Sequence, residues 1–217
     1  MNKLCYDNIN FESIELENEE PYWSGKKYAR ISIPAQPKNV KEFSTHGYAL
    51  IDRTLEVRIP LAKTQVNIEK YIRMPVIKTS SYKEEIQKIA IESFKLDNRF
   101  RVTIDENWEE VYTKILERWI DEIDNCFVCL YKDKVIGFME IKDENTDNPF
   151  IYLAATDEKY RLTGVGMTLY AYVVNYYKNL GKTAVIGRIS SKNTSVMNIY
   201  AALGGQFSNP WDIFIKL

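Results

Sequence analysis

Ala154-Ala155-Thr156-Asp157-Glu158-Lys159-Tyr160-Arg161-Leu162-Thr163-Gly164-Val165-Gly166-Met167 takes the chain from an apolar strand through a basic, glycine-containing turn into a helix. Such a turn aims several backbone N–H groups and a helix N-terminus at one point, which is how proteins cradle phosphate. Gly164 and Gly166 remove the Cβ atoms that would block a pyrophosphate, and Arg161 offers a charge-assisted contact. Two familiar phosphate motifs fail here. A P-loop needs lysine where Met167 stands, and a dinucleotide fingerprint needs glycine where Leu169 stands.

Outward from this turn the periodicities define the rest. Downstream, a helix from about Val165 to Leu180 is closed by Gly181, followed by a strand (Thr183 to Ile189), a helix (about Thr194 to Leu203) and a terminal strand (Asp212 to Leu217). Upstream lies the strand Phe150 to Ala155. Before it, Phe127 to Tyr131 and Val135 to Ile141 flank the polar turn Lys132-Asp133-Lys134 as a hairpin. Ile86, Ile89, Ala90 and Phe94 share one helical face behind a Ser81/Glu84 capping box. Val111, Ile115, Trp119 and Ile123 form the stripe of a second helix, Asn107 to Ile123. Residues 1 to 75 have another rhythm. Short strands surround one short helix (Lys38 to His46), with Tyr28 to Ile33 and Tyr48 to Ile59 extended and Pro34, Pro37 and Pro60 as punctuation. The expected fold is α/β, a mixed and mainly antiparallel sheet flanked by helices, with a smaller N-terminal lobe at 1–75 and a second at 76–217.

The 217 residues, 45% hydrophobic and 27% charged, suffice for a substantial core. Neither an apolar run of about 18 residues nor an apolar leader stands in the sequence, and Cys5, Cys126 and Cys129 are too few for a disulfide framework. A cytoplasmic protein is expected, with no membrane partner. The formal charge of −1 argues against nucleic acid, yet the average hides an asymmetry. From Lys159 to Trp211 there is no Asp or Glu, while six Lys and Arg residues stand there, leaving the rest at −7, 23 basic against 30 acidic residues. A site for an anionic small molecule falls in that segment.

Arg161-x-x-Gly164-x-Gly166 entering a helix resembles motif A of the GCN5-related N-acetyltransferases (GNAT), the acetyl-CoA-dependent superfamily. Asn193 and Tyr200, seven apart, then Leu203-Gly204 and Phe207, resemble the family's downstream Asn-x6-Tyr pattern with two residues, Gly205-Gln206, inserted before the Phe. Tyr22 to Lys27, Gly47 to Thr54, Ser93-Phe94 through Arg99-Phe100-Arg101 with Asp105, Tyr112 and Trp119-Ile120 look like the layout of the TDP-fucosamine acetyltransferase branch, in which a partial acetyltransferase-like half precedes the catalytic one. There Trp23-Ser24 stands where paired aromatics are expected.

The resemblance implies acetyl-CoA as co-substrate, no metal, and a small-molecule amine as acceptor, with a nucleotide-linked amino sugar the narrower expectation and a homodimer left open. The backbone of Ala154, Ala155 and Thr156 would pair with the pantetheine arm, Arg161, Leu162, Thr163, Gly164, Val165, Gly166 and Met167 would form the pyrophosphate turn, Asn193 would bond the arm, and Tyr200 would protonate the departing thiolate. Relatives place a Glu base where this chain has Arg188, so no base carries over. Two alternatives accompany this reading, a non-catalytic acyl-CoA-binding module and a protein or peptide N-acetyltransferase.

Taken alone, a tyrosine on an amphipathic helix is ordinarily packing, and it is Arg161 to Gly166 and Asn193 that single out Tyr200. His46, the one histidine, sits at a helix end, an ordinary surface place. Cys126-x-x-Cys129 has metal-like spacing, but on a strand the two face opposite ways and no further Cys or His completes a site, so they read as buried hydrophobes.

Overall fold

The computed structural model describes residues 2–7, 10–17, 21–62, 67–95, 97, 101, 103–104, 108–123 and 126–217. Along them run β1 (Asn2–Tyr6), β2 (Phe11–Glu15), β3 (Tyr28–Pro34), α1 (Pro37–Thr45), β4 (Tyr48–Pro60), β5 (Val76–Thr79), α2 (Lys83–Phe94), α3 (Trp108–Asp121), β6 (Cys126–Tyr131), β7 (Lys134–Lys142), β8 (Phe150–Thr156), α4 (Val165–Asn179), β9 (Ala184–Ser190), α5 (Thr194–Ala202) and β10 (Gln206–Lys216). Asn107, Arg99, Phe100 and Asp105, named above, lie outside the described residues.

The strands form one sheet in the order β1-β2-β3-β10-β4-β9-β8-β7-β6-β5. Neighbours are antiparallel except β2 with β3 and β8 with β9. This is the mixed, mainly antiparallel sheet with flanking helices that the sequence predicts. β4, from the N-terminal part, lies between β10 and β9 and carries an antiparallel ladder to each.

Helices α4 and α5 cover one face, where Phe127, Met139, Leu169, Val173, Tyr177 and Tyr200 share a core. Gly137 is what lets α4 settle on β7. A Cβ there would stand 2.9 Å from Val165 and 3.0 Å from Leu169. Helices α2 and α3 cover the other face, in a core that also takes in Tyr6, Phe11 and Tyr28. The sheet therefore curls until its first strands reach α3, and the Tyr6 hydroxyl donates to Glu122 at 3.2 Å. Cys126 and Cys129 fall in these two opposite cores, as strand alternation requires. Burial pushes both thiols up, to about 12 and about 11.

Local signals explain most boundaries. Lys132 and Asp133 take φ of 49° and 61°, a mirror-image two-residue turn that matches the strands' twist. Past α4, Gly181 takes φ of 73°, with N–H groups of Gly181 and Lys182 returning to Lys178 and Tyr177 in a Schellman closure. Three expectations need correction. The Ser81/Glu84 capping box does not form, because Tyr82 occupies the N-cap in a left-handed conformation (φ 67°) and makes no side-chain cap bond. The last strand begins at Gln206 rather than Asp212, continuing through a bulge at Ser208/Pro210. β5 forms where the periodicity gave no strand.

Candidate active site

β8 and β9 run parallel but pair only at Phe150↔Ile186 and Ile151↔Gly187. Beyond that point they separate. β8 keeps β7 on one side through Gly137↔Thr156, while β9 keeps β4 through Thr54↔Ser190. The edge of β8 that faces β9 therefore lacks a ladder partner over Tyr152 to Thr156, and a strand edge of this kind is a template for any extended group carrying amides. Tyr152 is the extra residue of a bulge, since Leu153 pairs Glu140 but Ile151 pairs Ile141. Bulges re-aim side chains and end pairing, and this one sits where the fork opens.

The mouth of the fork is the glycine turn. Asp157 caps a short 3-10 turn (Glu158–Tyr160) by accepting from the Lys159 N–H at 2.8 Å. Leu162, fully exposed, takes φ of 66° and Gly164 takes 92°, so the backbone reverses handedness twice before α4 begins. The Thr168 N–H is the first to bond back into the helix, to Gly164 at 2.9 Å. The amides of Val165, Gly166 and Met167 thus have no partner within the helix, and its first turn contains no acid. A Cβ on Gly164 would meet no atom within 4 Å, so the space before the helix is open. At Gly166, α4, β8 and α5 converge, a Cβ there standing 3.3 Å from Ile199 and 3.9 Å from Thr156. The Arg161 guanidinium reaches the Ser93 hydroxyl on α2 at 3.4 Å, and that hydroxyl donates to the Thr156 carbonyl at 3.2 Å. An extended arm with a pyrophosphate at one end fits this combination of bare strand edge and anion-binding turn.

Tyr200 closes the opposite end. It comes from α5, is 2% exposed, and packs edge-on against Tyr170 and Phe207 at 5.0 and 6.4 Å. Its hydroxyl lies at Gly187, where a Cβ would come within 2.7 Å of it. Gly187 is also the last residue of β9 that pairs with β8, so the phenol is set at the apex of the fork. Asn193 stands beyond the open end of β9. Its side-chain oxygen caps α5 by accepting from the Val196 N–H at 3.1 Å, which leaves the amide NH2 as the group able to donate to a ligand.

This fork, turn and apex give physical content to a match over most of the two-thirds of the chain that contains them. Residues 84–204 match the model of the acetyltransferase (GNAT) family. The chain belongs to that family. No curated protein matches it. Among solved structures, a Drosophila protein is similar at 12% identity and a TM-score of 0.62, over 96% of this chain and 71% of that one. A protein of unknown function from Staphylococcus epidermidis is similar at 10% identity and 0.59, over 86% and 72%. A GCN5-related N-acetyltransferase from Sphaerobacter thermophilus is similar at 12% identity and 0.55, over 87% of this chain but 60% of its own length. At these identities the likeness is one of fold.

In this GNAT chain the face of the sheet away from α4 and α5 holds Arg188 together with groups the sequence did not single out. Arg188, the first β9 residue past Gly187, stacks its guanidinium on Trp211 at 4.0 Å and pairs with Glu15 of β2 at 2.9 Å and Glu56 of β4 at 3.8 Å. Glu56 also accepts from the Trp211 indole N–H and the Asn209 amide, both at 2.8 Å. Glu140 of β7 is 7% exposed, and burial raises its carboxyl to about 7. Burial likewise raises the Tyr152 phenol to about 12, the cation of Arg30 opposing and the anions of Glu140, Glu15 and Glu122 adding to the rise. Gly187 was the one signal available in sequence, since glycine inside a strand pattern marks close approach of another group. The Glu15–Arg188 pair spans 173 positions and leaves no local trace.

Proposed function

We propose that this chain transfers an acetyl group from acetyl-CoA to a primary amine of a small molecule by direct attack, with both substrates bound together. The observation that carries this reading is the fork between β8 and β9, bare along one edge, ending in an anion-binding turn and capped by a buried tyrosine hydroxyl. In it the backbone of Ala154, Ala155 and Thr156 would hold the pantetheine amides, the Arg161 to Met167 turn the pyrophosphate, and the Asn193 amide the arm. Acetyl-CoA, when bound, supplies an activated thioester carbonyl. The β8 amide groups would orient and polarise that carbonyl, and Tyr200 would give a proton to the departing sulfur, its phenolate regaining one from the amine nitrogen as the amide forms. Protonated Cys126 and Cys129, each buried in a core, are poor nucleophiles, which supports direct transfer over a covalent acyl-enzyme.

The resemblance to the TDP-fucosamine acetyltransferase branch makes a nucleotide-linked amino sugar the first acceptor to try, and supports a division into a partial lobe at 1–75 and a catalytic lobe at 76–217. Incubating the protein with acetyl-CoA and pooled nucleotide-linked amino sugars, polyamines and peptides, and weighing the products, tests this. A gain of one acetyl group on a small amine is expected. Acetyl-CoA binding without transfer to any member of the pool would favour a binding module, and acetylated peptides alone would favour a peptide acetyltransferase.

A further inference from the structure

Past the fork's apex, Tyr152 on β8 and Arg188 on β9 are the first residues of the two separating strands. Tyr200 closes the fork from the α4/α5 side, where the hydroxyl meets Gly187. Side chains alternate along β9, so Arg188 points to the opposite face, and Tyr152 also turns that way, its ring 6.3 Å from Trp119 of α3. Tyr200, buried against Gly187, occupies the first face at the apex, so the second face is the one considered for the acceptor. What it meets there is a carboxylate delivered by the curl of the sheet. Arg188, over the Trp211 ring at 4.0 Å, holds Glu15 at 2.9 Å.

Three acids of this face, Glu56, Glu140 and Glu15, are not equivalent, and a fourth, Asp52, is buried and accepts from the Ser190 hydroxyl at 3.0 Å. Glu56 is occupied by Trp211, Asn209 and Arg188, which makes it a brace. Glu140 lies beneath the surface, 7% exposed, with one carboxylate oxygen that finds no hydrogen-bond partner among the described residues. Glu15 has a side chain 39% exposed, open to a solute, and its charge reaches the Tyr152 hydroxyl beside the fork. An ammonium docked on Glu15 would add a cation to a face that already carries an unsatisfied buried carboxylate oxygen.

We propose that Glu15 is the acceptor-binding carboxylate, positioned by Arg188, and that the acceptor is a small-molecule amine that docks as its ammonium ion and releases one proton to solvent before it attacks. The assignment rests on the acetyl transfer proposed above. It gives the N-terminal part of the chain a share in the site and supplies the carboxylate that position 188 lacks.

The test measures acetyl transfer at pH 7.5 to four named amines, glucosamine, spermidine, tyramine and aniline, the last being uncharged at that pH. Glu15→Gln should raise KM about tenfold or more for whichever charged amines are accepted, as expected for losing a charge-assisted hydrogen bond. KM for acetyl-CoA, and kcat to within about threefold, should hold, and Glu15→Asp should recover part of the loss. Aniline, if accepted, should be indifferent to the change. An unchanged acceptor KM, or a loss equal for charged and uncharged amines, would overturn the role of Glu15 while leaving acetyl transfer standing. Failure of the parent protein to acetylate any of the four or any nucleotide-linked amino sugar would count against the transfer reading itself, and this assignment would fall with it.

Discussion

Gly187→Ala puts the catalytic proposal under direct mechanical strain. A methyl group there would sit 2.7 Å from the Tyr200 hydroxyl and 3.6 Å from the Ile151 Cβ. The second contact is ordinary and the first is not tolerable, so either the strand or the phenol must move. Overpacking of this kind costs roughly 1–3 kcal/mol, against which alanine in a strand recovers roughly 0.5–1 kcal/mol of backbone entropy. For a chain of this size a net loss of about 1–2 kcal/mol lowers Tm by roughly 2–8 °C. Tyr200→Phe withdraws the oxygen from the clash while keeping the ring against Tyr170 and Phe207. In that background Gly187→Ala should become neutral or stabilising, so the two substitutions should couple by about 1–3 kcal/mol in a double-mutant cycle followed by urea unfolding. Activity should not recover with stability. Tyr200→Phe alone should lower kcat about 10- to 1,000-fold, within or just under the usual range for a general acid because a thiolate with a conjugate acid near pKa 8.5 is already a fair leaving group. The double variant should remain as slow. Additive stabilities would show that the hydroxyl is not at Gly187, and a fully active Tyr200→Phe enzyme would remove the tyrosine from the chemistry.

Gly164→Ala forces a side chain into a left-handed position (φ 92°) at the mouth of the phosphate turn, and titration calorimetry should show CoA binding at least about tenfold weaker, with a stability loss of about 1–3 kcal/mol. Turnover at saturation should rise from neutral toward alkaline pH, since the attacking amine must be neutral and an aliphatic ammonium has a pKa near 10; a flat profile with chemistry rate-limiting would contradict direct attack. The Glu140 carboxyl, raised from 4.5 to about 7 by burial, favours the protonated form in the fold, so its contribution is present below about pH 4.5 and is lost as pH rises through 7, by at most about 3 kcal/mol. Glu140→Gln should flatten that dependence between pH 5 and 8 in urea unfolding, and an unaltered pH profile would show that this carboxyl ionises freely.

The parts of the site that were legible in sequence are those built from short-range chemistry. The turn from Arg161 to Gly166 announces itself because glycine, a basic residue and the start of a helix fall within six positions, and the Asn193 to Tyr200 spacing is set by one helix. Elements whose local chemistry contradicts their final state are not legible in this way. Asn209 and Pro210 look like a loop, yet β10 carries them inside a bulge between two ladders, with Asn209 at φ 40°. Ser81 and Glu84 have the right spacing for a capping box, but the left-handed Tyr82 moves the helix start to Lys83.

The placement of β4 explains why the second face of the site was invisible from the sequence. Arg188 occupies a strand that any helix-strand-helix reading finds, and its side chain alone suggests an absent base. Only when β4 pairs with β9 does Glu56 come opposite Arg188, and only when β10 pairs with β4 does Trp211 arrive beneath the guanidinium. β2 then joins through β3, and the curl that buries Tyr6 and Phe11 against α3 brings Glu15 across. Each of these steps is a long-range pairing fixed by the alternation of apolar and polar residues in its own strand, and a slip of one residue in β2 would turn Glu15 away from Arg188 and take Ile14 out of the core it fills on the opposite face. The register that makes the hydrophobic core also sets the charge on the second face beside the fork's apex.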